Sequence, residues 1–343
     1  MAKKLYTHWW RVTLLLLLSG CASDSDVQET SLPPINAPTS ATQRPINPVD
    51  KAQGALTSPE YYHADSVNGD YAQSPAVQHF IKQMVHKHHF SEDYLNGLFS
   101  KAERLESVIR LESPEPSTAK PRRGSWTRYR NKFLTDDHIS SGVAFWRANA
   151  AAISKASQTY HVDAEYIVGI IGVETYFGKN MGKTRIFDAL TTLAFDTHRR
   201  GSYFASELEH FLLMTREENY EPRELVGSWA GAMGFGQFMP SSFRHLAVDF
   251  NNDGHKDLWD SNDAIGSVAH YFAKNGWQAG QAVSEEAAPL NDANVIELST
   301  YTGNEYWRVH PNFKVIKRYN NSNKYAMAVH QLAKAIKQQY FSN

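Results

Sequence analysis

The segment from Ala164 to Gly178 constrains the fold most, because it is almost entirely apolar and yet carries a carboxylate near its end. Asp163 is a suitable N-cap, and the residues after it contain no proline, so the spacing predicts an amphipathic helix. Glu174 lies four positions after Ile170 and seven after Ile167. These positions share one face of a helix, so the carboxylate is expected to project from the apolar side.

The expected position of Glu174 suits acid catalysis. The residue falls in the last helical turn before Gly178, where the helix dipole disfavours negative charge. Partial burial and the dipole both raise the pKa of a carboxyl group, which is what a general acid needs near neutral pH. The alternative is a structural glutamate at a helix edge that pairs with an arginine or faces solvent.

Two motifs around this glutamate resemble those of the lytic murein transglycosylases. Glu174–Gly178 followed by Arg185–Leu190 resembles their catalytic segment, and Gly231–Ser241 resembles their second signature. The resemblance is strongest to the membrane-bound lytic transglycosylase B family and covers the chain from about Gln78 to its C-terminus. It implies a mainly α (α+β) fold: a lysozyme-like helical core, a helical subdomain, a small β insertion and an EF-hand-like loop. It also implies a peptidoglycan lytic transglycosylase with Glu174 as its only general acid and base.

The resemblance places further residues in a glycan-binding cleft. It implies that Ser228 lies against the catalytic glutamate and the substrate acetamido group, and that Gln237 lies on the cleft wall. The residues that carry over as substrate contacts are Tyr129, Tyr203, Tyr271, Tyr319, Asn320 and Tyr325. Without the family, Tyr129 is equally well explained as a packing aromatic at a domain junction, and Ser228 and Gln237 as ordinary helix-end residues.

A second motif begins at Asp249 and has the start of a calcium-binding EF-hand loop. Oxygen-bearing side chains occupy loop positions 1, 3 and 5 (Asp249, Asn251 and Asp253), and Gly254 occupies position 6. A predicted helix over Ala264–Phe272 supplies the helix–loop–helix context. The alternative is an Asx-rich turn that holds no metal.

Two aspartates compete for the position that closes this loop. Position 12, where glutamate is usual, is Asp260, whose shorter side chain needs a tighter loop to bind calcium through both oxygens. Asp263 is the rival, and the lengthened loop of the resembled family favours it. The predicted ligands of a structural Ca²⁺ are Asp249, Asn251, Asp253, the His255 carbonyl and Asp263, with Asp257 acting through water.

The N-terminus has the features of a lipoprotein signal. Cys21 is the only cysteine, and it follows basic residues and the short apolar run Val12–Leu18, which is too short to span a bilayer. We expect residues 1–20 to be a signal peptide and Cys21 to be lipidated. Since Ala22 rather than aspartate follows it, the resemblance to bacterial lipoproteins implies an anchor in the outer membrane, at its periplasmic face. The alternative is an ordinary signal peptide with a chance cysteine.

Composition and periodicity divide the rest of the chain. The predicted units are a flexible tether (21–75), a helical subdomain (76–140) that 320–343 can join, a lysozyme-like catalytic core (141–277) with the calcium loop at 249–263, a small β subdomain (278–318), and a C-terminal cleft segment and helix (319–343). A long helix is predicted from Ser141 to about Tyr160. Three β-type runs are predicted at Val295–Leu298, Tyr306–Val309 and Phe313–Ile316.

Charge and composition limit the partners. The net charge is −1 and no basic tract is present, so nucleic acid is not an expected partner. The expected partners are peptidoglycan glycan strands and, through Cys21, outer-membrane lipid. The resemblance also allows protein partners that act in cell-wall synthesis or hydrolysis. Two other functions stay open: a hydrolytic muramidase that uses Asp188 or Asp196 as a second carboxylate, and a non-catalytic murein-binding lipoprotein stabilised by calcium.

Overall fold

The computed structural model describes residues 62–112 and 123–342. This part of the chain is mainly helical, as predicted, with thirteen α-helices and two small sheets. The predicted signal peptide, Cys21 and most of the predicted tether lie outside the described residues. The helices are α1 (Pro75–His88), α2 (Glu92–Phe99), α3 (Glu106–Glu112), α4 (Ser125–Arg130), α5 (Asp136–Ala148), α6 (Ala150–Tyr160), α7 (Ala164–Thr175), α8 (Ile186–Phe195), α9 (Gly201–Glu217), α10 (Pro240–Leu246), α11 (Ser261–Lys274), α12 (Pro311–Tyr319) and α13 (Asn323–Ser342).

Helix α7 is buried along almost its whole length. Every residue from Glu165 to Val173 is buried, because α5, α6, α11 and α13 all pack against the helix. Helix α13 approaches it closely, because a Cβ atom on Gly169 would lie 3.0 Å from the Cβ atom of Ala333. The predicted helix is confirmed, but its predicted amphipathic character is wrong, because helices rather than solvent surround it.

The two sheets are antiparallel. In the first, β1 (Thr184–Arg185) pairs with β2 (Val226–Gly227), which joins the start of α8 to the glycine-rich segment that follows β2. The second contains β3 (Ser284–Glu286), β4 (Val295–Ser299) and β5 (Asn304–Val309) in the order β3-β5-β4. Two of the three predicted β runs are therefore confirmed, and β3 was not predicted.

The third predicted β run, Phe313–Ile316, is wrong because it lies inside α12. Pro311 occupies the first turn of that helix, where its fixed φ and missing N–H favour helix initiation. Phe313, Val315 and Ile316 are all buried, so their apolar character reflects helix packing. The predicted boundary between 318 and 319 falls within α12.

The predicted long helix from Ser141 to Tyr160 is two helices that meet at Asn149. There φ is −115° and ψ is 24°, and the side-chain amide donates to the Phe145 carbonyl oxygen at 2.9 Å. The side-chain oxygen accepts from the Ser261 hydroxyl at 2.8 Å. These competing hydrogen bonds explain the break. The predicted boundary between 140 and 141 lies inside α5.

The end of the predicted tether is folded. Tyr62, Val67 and Tyr71 are buried, and the Tyr71 hydroxyl donates to the Asp196 carboxylate at 2.9 Å. The Tyr62 ring packs on that of Tyr94 in α2, with centroids 5.8 Å apart, so the stretch is held at two places. The prediction of a flexible tether up to residue 75 is therefore wrong for residues 62–75.

Helix α13 packs against α4 and α5 as well as against α7, so the C-terminal segment contacts both the predicted helical subdomain and the predicted core. Among the residues that the structure describes, no helix is both long enough and apolar enough to cross a membrane.

Candidate active site

Helix α7 ends directly after Glu174 in an unusual turn. Three consecutive residues adopt left-handed backbone conformations, with φ of 52° at Tyr176, 58° at Phe177 and 85° at Gly178. Two of them are not glycine, and such residues rarely occupy this region without support from their surroundings. The amide of Tyr176 donates to the Gly172 carbonyl oxygen at 3.0 Å, which closes the helix and fixes the direction of the glutamate.

Thr175 and Phe235 bring the two sequence motifs together. The Thr175 hydroxyl lies 2.9 Å from the Phe235 carbonyl oxygen and accepts from the Gly178 amide at 3.0 Å. A Cβ atom on Gly178 would lie 2.1 Å from the Phe235 ring, so glycine is required both by its φ and by this contact. The predicted Gly231–Ser241 segment therefore lies against the turn that carries Glu174.

The environment of Glu174 favours its protonated form. The residue is partly exposed, and desolvation raises the pKa of its carboxyl group to about 7. The buried Tyr325 hydroxyl donates to its Oε1 at 2.6 Å, which opposes that rise because it stabilises the carboxylate. Burial and the charge of Glu174 hold the pKa of Tyr325 well above its ordinary value, so the tyrosine stays a donor.

Three of the other predicted tyrosines, Tyr129, Tyr271 and Tyr319, form a group around this pair. The Tyr319 hydroxyl donates to the Gly236 carbonyl oxygen at 2.6 Å, and its ring centroid is 4.6 Å from that of Tyr271. Burial raises the pKa of Tyr129, and the charge of Glu174 raises it further, which places Tyr129 near the carboxylate. Three helices, α4, α11 and α12, thus each bring one tyrosine towards the end of α7.

Ser228 and Gln237 brace the glycine-rich segment. The Ser228 hydroxyl oxygen accepts from the Ala232 amide at 2.9 Å. Gln237 has a φ of 51°, and its side-chain amide donates to the Gly234 carbonyl oxygen at 2.9 Å and to that of Met181 at 3.2 Å. Hydrogen bonds to backbone groups therefore fix the positions of both side chains.

Asn320 and Tyr203 occupy different surroundings. Asn320 is buried and follows α12 directly. Tyr203 lies on α9, with its hydroxyl hydrogen-bonded to Glu207. Glu207 in turn accepts from the Ser241 hydroxyl at 2.7 Å. These contacts tie Tyr203 to the start of α10 rather than to Glu174.

A cavity of about 360 Å³ opens beside Glu174, and it contains residues that the sequence did not point to. His138 lines it, with Nε2 3.0 Å from the Gly172 carbonyl oxygen. Its ring centroid is 4.4 Å from that of Tyr176 and 5.4 Å from that of Phe177. The histidine therefore supports the left-handed turn. A lone histidine in the first turn of a helix gives no sequence signal for this role.

The carboxylates considered for hydrolysis are engaged elsewhere. Asp188 is buried and pairs with Arg185 at 2.6 Å. Asp196 accepts from Arg104 at 2.9 Å as well as from Tyr71. Asp137, which was not predicted, lines the Glu174 cavity and accepts a hydrogen bond from the Tyr176 hydroxyl.

The predicted calcium loop turns its oxygens inwards. Asp249 accepts from the amides of Asp253 at 3.1 Å and Gly254 at 2.9 Å, and Asn251 accepts from Asp253 at 2.9 Å. Asp253 accepts from the His255 amide at 2.9 Å. Within residues 62–112 and 123–342, no three His, Cys, Asp or Glu side chains lie close enough together to hold a metal ion.

The structure separates the two candidates for closing the loop. Asp260 caps α11 by accepting from Asn262 and Asp263. Asp263 is fully buried and accepts from the amides of three loop residues: Phe250, Asn251 and Asp257. The donor set consists of the hard oxygens that calcium prefers, so the residues fit this ion in type and order, and Asp263 is the side chain that faces the loop.

Comparison with known proteins agrees with this architecture. A family model for the transglycosylase SLT domain matches residues 72–297 and 285–334. Membrane-bound lytic murein transglycosylase B of Escherichia coli (strain K12) is 43% identical over 359 residues, covering 94% of this chain and 95% of that protein.

Solved structures give the same result. An Escherichia coli lytic transglycosylase in complex with calcium superposes with a TM-score of 0.75 at 44% identity, covering 83% of this chain and 99% of the other. A Pseudomonas aeruginosa enzyme in complex with NAG-anhNAM-pentapeptide gives a TM-score of 0.67 at 27% identity, covering 77% and 80%. The chain therefore belongs to the membrane-bound lytic murein transglycosylase B family and has the lysozyme-like fold of the lytic transglycosylases.

Proposed function

We propose that the protein cleaves the β-1,4 bond between N-acetylmuramic acid and N-acetylglucosamine in peptidoglycan, with Glu174 as its single acid and base. The observation that carries this proposal is the partly exposed Glu174 carboxyl group, whose pKa of about 7 keeps a proton available near neutral pH. Its family membership supports the substrate, and the Pseudomonas aeruginosa relative was solved with a muropeptide that contains an anhydro sugar.

The proposed reaction uses one carboxyl group twice. Protonated Glu174 donates its proton to the glycosidic oxygen, so that N-acetylglucosamine leaves with a free hydroxyl group. The acetamide oxygen of the muramic residue attacks C1 and gives an oxazolinium-like species. The Glu174 carboxylate then takes the proton of the 6-hydroxyl group, whose oxygen attacks C1, displaces the acetamide oxygen and closes a 1,6-anhydro ring. Glu174 ends protonated, and no water is consumed.

The surrounding residues have proposed roles in binding. Tyr325 orients the Glu174 carboxylate, and Ser228 orients the acetamide. The other proposed substrate contacts are Gln237, Tyr129, Tyr271, Tyr319 and Asn320, and Tyr203 stays a prediction. Aromatic rings suit the apolar faces of sugar rings, which supports a glycan-binding role for the tyrosines near the acid.

One observation favours hydrolysis instead. A muramidase needs a second carboxylate to position water or act as the nucleophile, and Asp137 lines the same cavity as Glu174.

Incubation with purified cell walls distinguishes the non-catalytic alternative from both enzymes. We expect falling turbidity and release of soluble fragments, whereas binding without release would contradict enzymatic activity of either kind.

Tyr325→Phe should move the alkaline limb of the pH profile to higher pH. The acid must be protonated in the free enzyme, so kcat/KM is expected to fall as pH rises through about 7. The Tyr325 hydroxyl stabilises the ionised carboxylate, so its removal raises the pKa of Glu174. The measurement is kcat/KM against pH for both proteins. A shift to lower pH would contradict the assigned role of the hydrogen bond.

We also propose that the loop from Asp249 to Asp263 holds a structural Ca²⁺. The proposed ligands are Asp249, Asn251, Asp253, the His255 carbonyl and Asp263, with Asp257 through water. The calcium complex of the Escherichia coli relative supports this. A bound ion would hold the loop between α10 and α11, which is a stabilising and not a chemical role.

Calcium should raise the melting temperature, because the ordered loop exists only in the folded state. Asp253→Ala should weaken this response while activity is largely kept. Magnesium is the matched control, since it demands octahedral geometry and gives up its waters reluctantly. Identical melting curves in calcium and in chelator would contradict the proposed Ca²⁺ site.

We further propose a lipid anchor at Cys21 in the outer membrane, where the enzyme faces the periplasm and its wall substrate; partners among cell-wall proteins stay a prediction. Diacylglycerol together with an N-terminal acyl chain supplies the two hydrophobic signals that stable anchoring needs. Cys21→Ser should leave the protein unprocessed or release it from the membrane fraction, measured by fractionation. Processed protein that stays on the membrane would show that another segment is the anchor.

A further inference from the structure

A larger cavity of about 960 Å³ lies beside the one that contains Glu174. The two meet at the end of α4 and the residues after it: Lys132 and Phe133 line the Glu174 cavity, whereas Arg130 and Leu134 line the larger one. We call the larger cavity the α13 groove and define it by Arg130, Glu286, Tyr306, Trp307, Gln331 and Lys334. It lies between helix α13 and the β3-β5-β4 sheet, and none of the substrate contacts proposed above lines it.

Two charged side chains of the α13 groove already have partners within the protein. Lys337 pairs with Glu165 at 2.7 Å. Glu305 accepts from the indole N–H groups of Trp126 at 3.0 Å and Trp307 at 3.3 Å. Lys337 and Glu305 are therefore already engaged with other residues of the protein.

Two cations and one anion are available to a ligand. Within the described part of the chain, Arg130, Lys334 and Glu286 form no ion pair, and all three are exposed. The ligand that complements them carries at least two carboxylates and one amine. A neutral glycan has neither, so this charge pattern favours a peptide.

Gln331 supplies a further hydrogen-bonding group. The oxygen of its side-chain amide is buried and accepts no hydrogen bond. Buried acceptors without a donor cost free energy, so a ligand that brings an N–H group to this oxygen gains more than it would at an exposed one. Tyr306 and Trp307, which are partly exposed, add aromatic surface for the apolar parts of such a ligand.

The distance between the two cavities matches a short peptide. Tyr325 contacts Glu174, and Gln331 and Lys334 follow it along the same helix. A helix rises 1.5 Å per residue, so these two side chains lie roughly 9 to 14 Å farther along α13. An extended peptide of five residues spans up to about 16 to 18 Å, so a peptide attached to a sugar near Glu174 has the length to enter the groove.

We propose that the α13 groove binds the peptide stem of a muramic residue held in the neighbouring cleft. The proposal rests on the function proposed above, because the stem enters the groove from a glycan at Glu174. Arg130 and Lys334 take stem carboxylates, Gln331 takes a peptide N–H, and Glu286 takes the stem amine. The groove thus selects for glycan that still carries its peptides.

The test compares two substrates: glycan strands with uncross-linked stems, and the same strands after enzymatic removal of the stems. For the Arg130→Glu/Lys334→Glu double variant, we expect the ratio of kcat/KM on stem-bearing to stem-free strands to fall at least ten-fold. Lys101→Glu is the matched control, since it reverses an exposed charge outside the groove, and its ratio should equal that of the wild type. An unchanged ratio, or equal losses on both substrates, would overturn the proposal.

A binding measurement keeps the test independent of catalysis. The free stem pentapeptide is titrated by calorimetry into the wild-type protein, the double variant and Gln331→Met, which removes the buried acceptor. We expect wild-type binding, with loss of affinity in both variants. Absence of binding, or equal affinity in all three, would overturn the groove assignment even if the glycan is cleaved. Peptide binding by a protein that cleaves no glycan would support the groove and contradict the proposed function.

Discussion

Glu174→Gln is expected to lower kcat/KM on peptidoglycan by at least 10²–10⁴-fold, the usual contribution of general acid–base catalysis. The amide keeps the shape of the side chain but has no acidic proton to donate and no basic oxygen to take the proton back. Because one group serves in both steps, its loss affects both. Glycan binding should persist, since Tyr129, Tyr271 and Tyr319 are unchanged.

Glu165→Gln is the matched control for this experiment. Glu165 lies on the same helix and is buried, but it pairs with Lys337 rather than facing the Glu174 cavity. Its replacement should lower stability and leave turnover close to that of the wild type. Near-normal turnover by the Glu174→Gln protein would mean that Glu174 is not the acid.

Stability against pH checks that the Gln variant is folded. The folded-state pKa of Glu174 is raised from 4.5 to about 7, so the folded protein holds a proton that the unfolded chain has released between these values. Stability attributable to this carboxyl group is therefore present at low pH and lost as pH rises through that window. The Gln variant should unfold less readily than the wild type above pH 7, with the difference disappearing below 4.5.

Asp263→Ala is expected to destabilise the protein by about 3 kcal/mol or more, even in the presence of a chelator. The carboxylate is fully buried and accepts three backbone amides, at 2.8, 3.1 and 2.8 Å. Alanine leaves the buried Phe250 amide without an acceptor, which costs about 1–3 kcal/mol, and it also removes the acceptor of the part-buried Asn251 and Asp257 amides. The measurement is the denaturant midpoint for the two proteins.

Asp253→Ala provides the contrast, because Asp253 is exposed and accepts only the His255 amide. It should weaken the calcium response with little change of stability in chelator. If Asp263→Ala were no more damaging than Asp253→Ala under those conditions, the three amides would not depend on the carboxylate as described.

Local sequence patterns predicted the elements that carry the chemistry. The apolar run before Glu174 predicted a helix, and Gly178 marked its end, although this helix is buried on all sides rather than amphipathic. The oxygen-bearing residues at alternate positions from Asp249 likewise predicted a tight loop between helices. These predictions succeeded because hydrophobic spacing, capping and turn chemistry are properties of neighbouring residues.

The predictions that failed concern residues whose structure depends on contacts with residues distant in sequence. Phe313–Ile316 has strand-like residues, but Pro311 and packing against α13 make it helical. Tyr62 and Tyr71 stand in a polar stretch, and only the folded chain shows what they pack against. Asp137 and His138 reach the Glu174 cavity because α5 packs on α7. The residue spacing within either helix does not predict that contact.

The mass of the glycan ends tests the central proposal most directly. Purified peptidoglycan is digested with the wild-type enzyme, and the fragments are measured by mass spectrometry. We expect strands that end in 1,6-anhydro-N-acetylmuramic acid, each lighter by one water than the hydrolysis product, because the 6-hydroxyl group and not water attacks C1. Reducing ends as the main product would contradict the single-carboxylate mechanism and favour hydrolysis, with Asp137 as the second carboxylate.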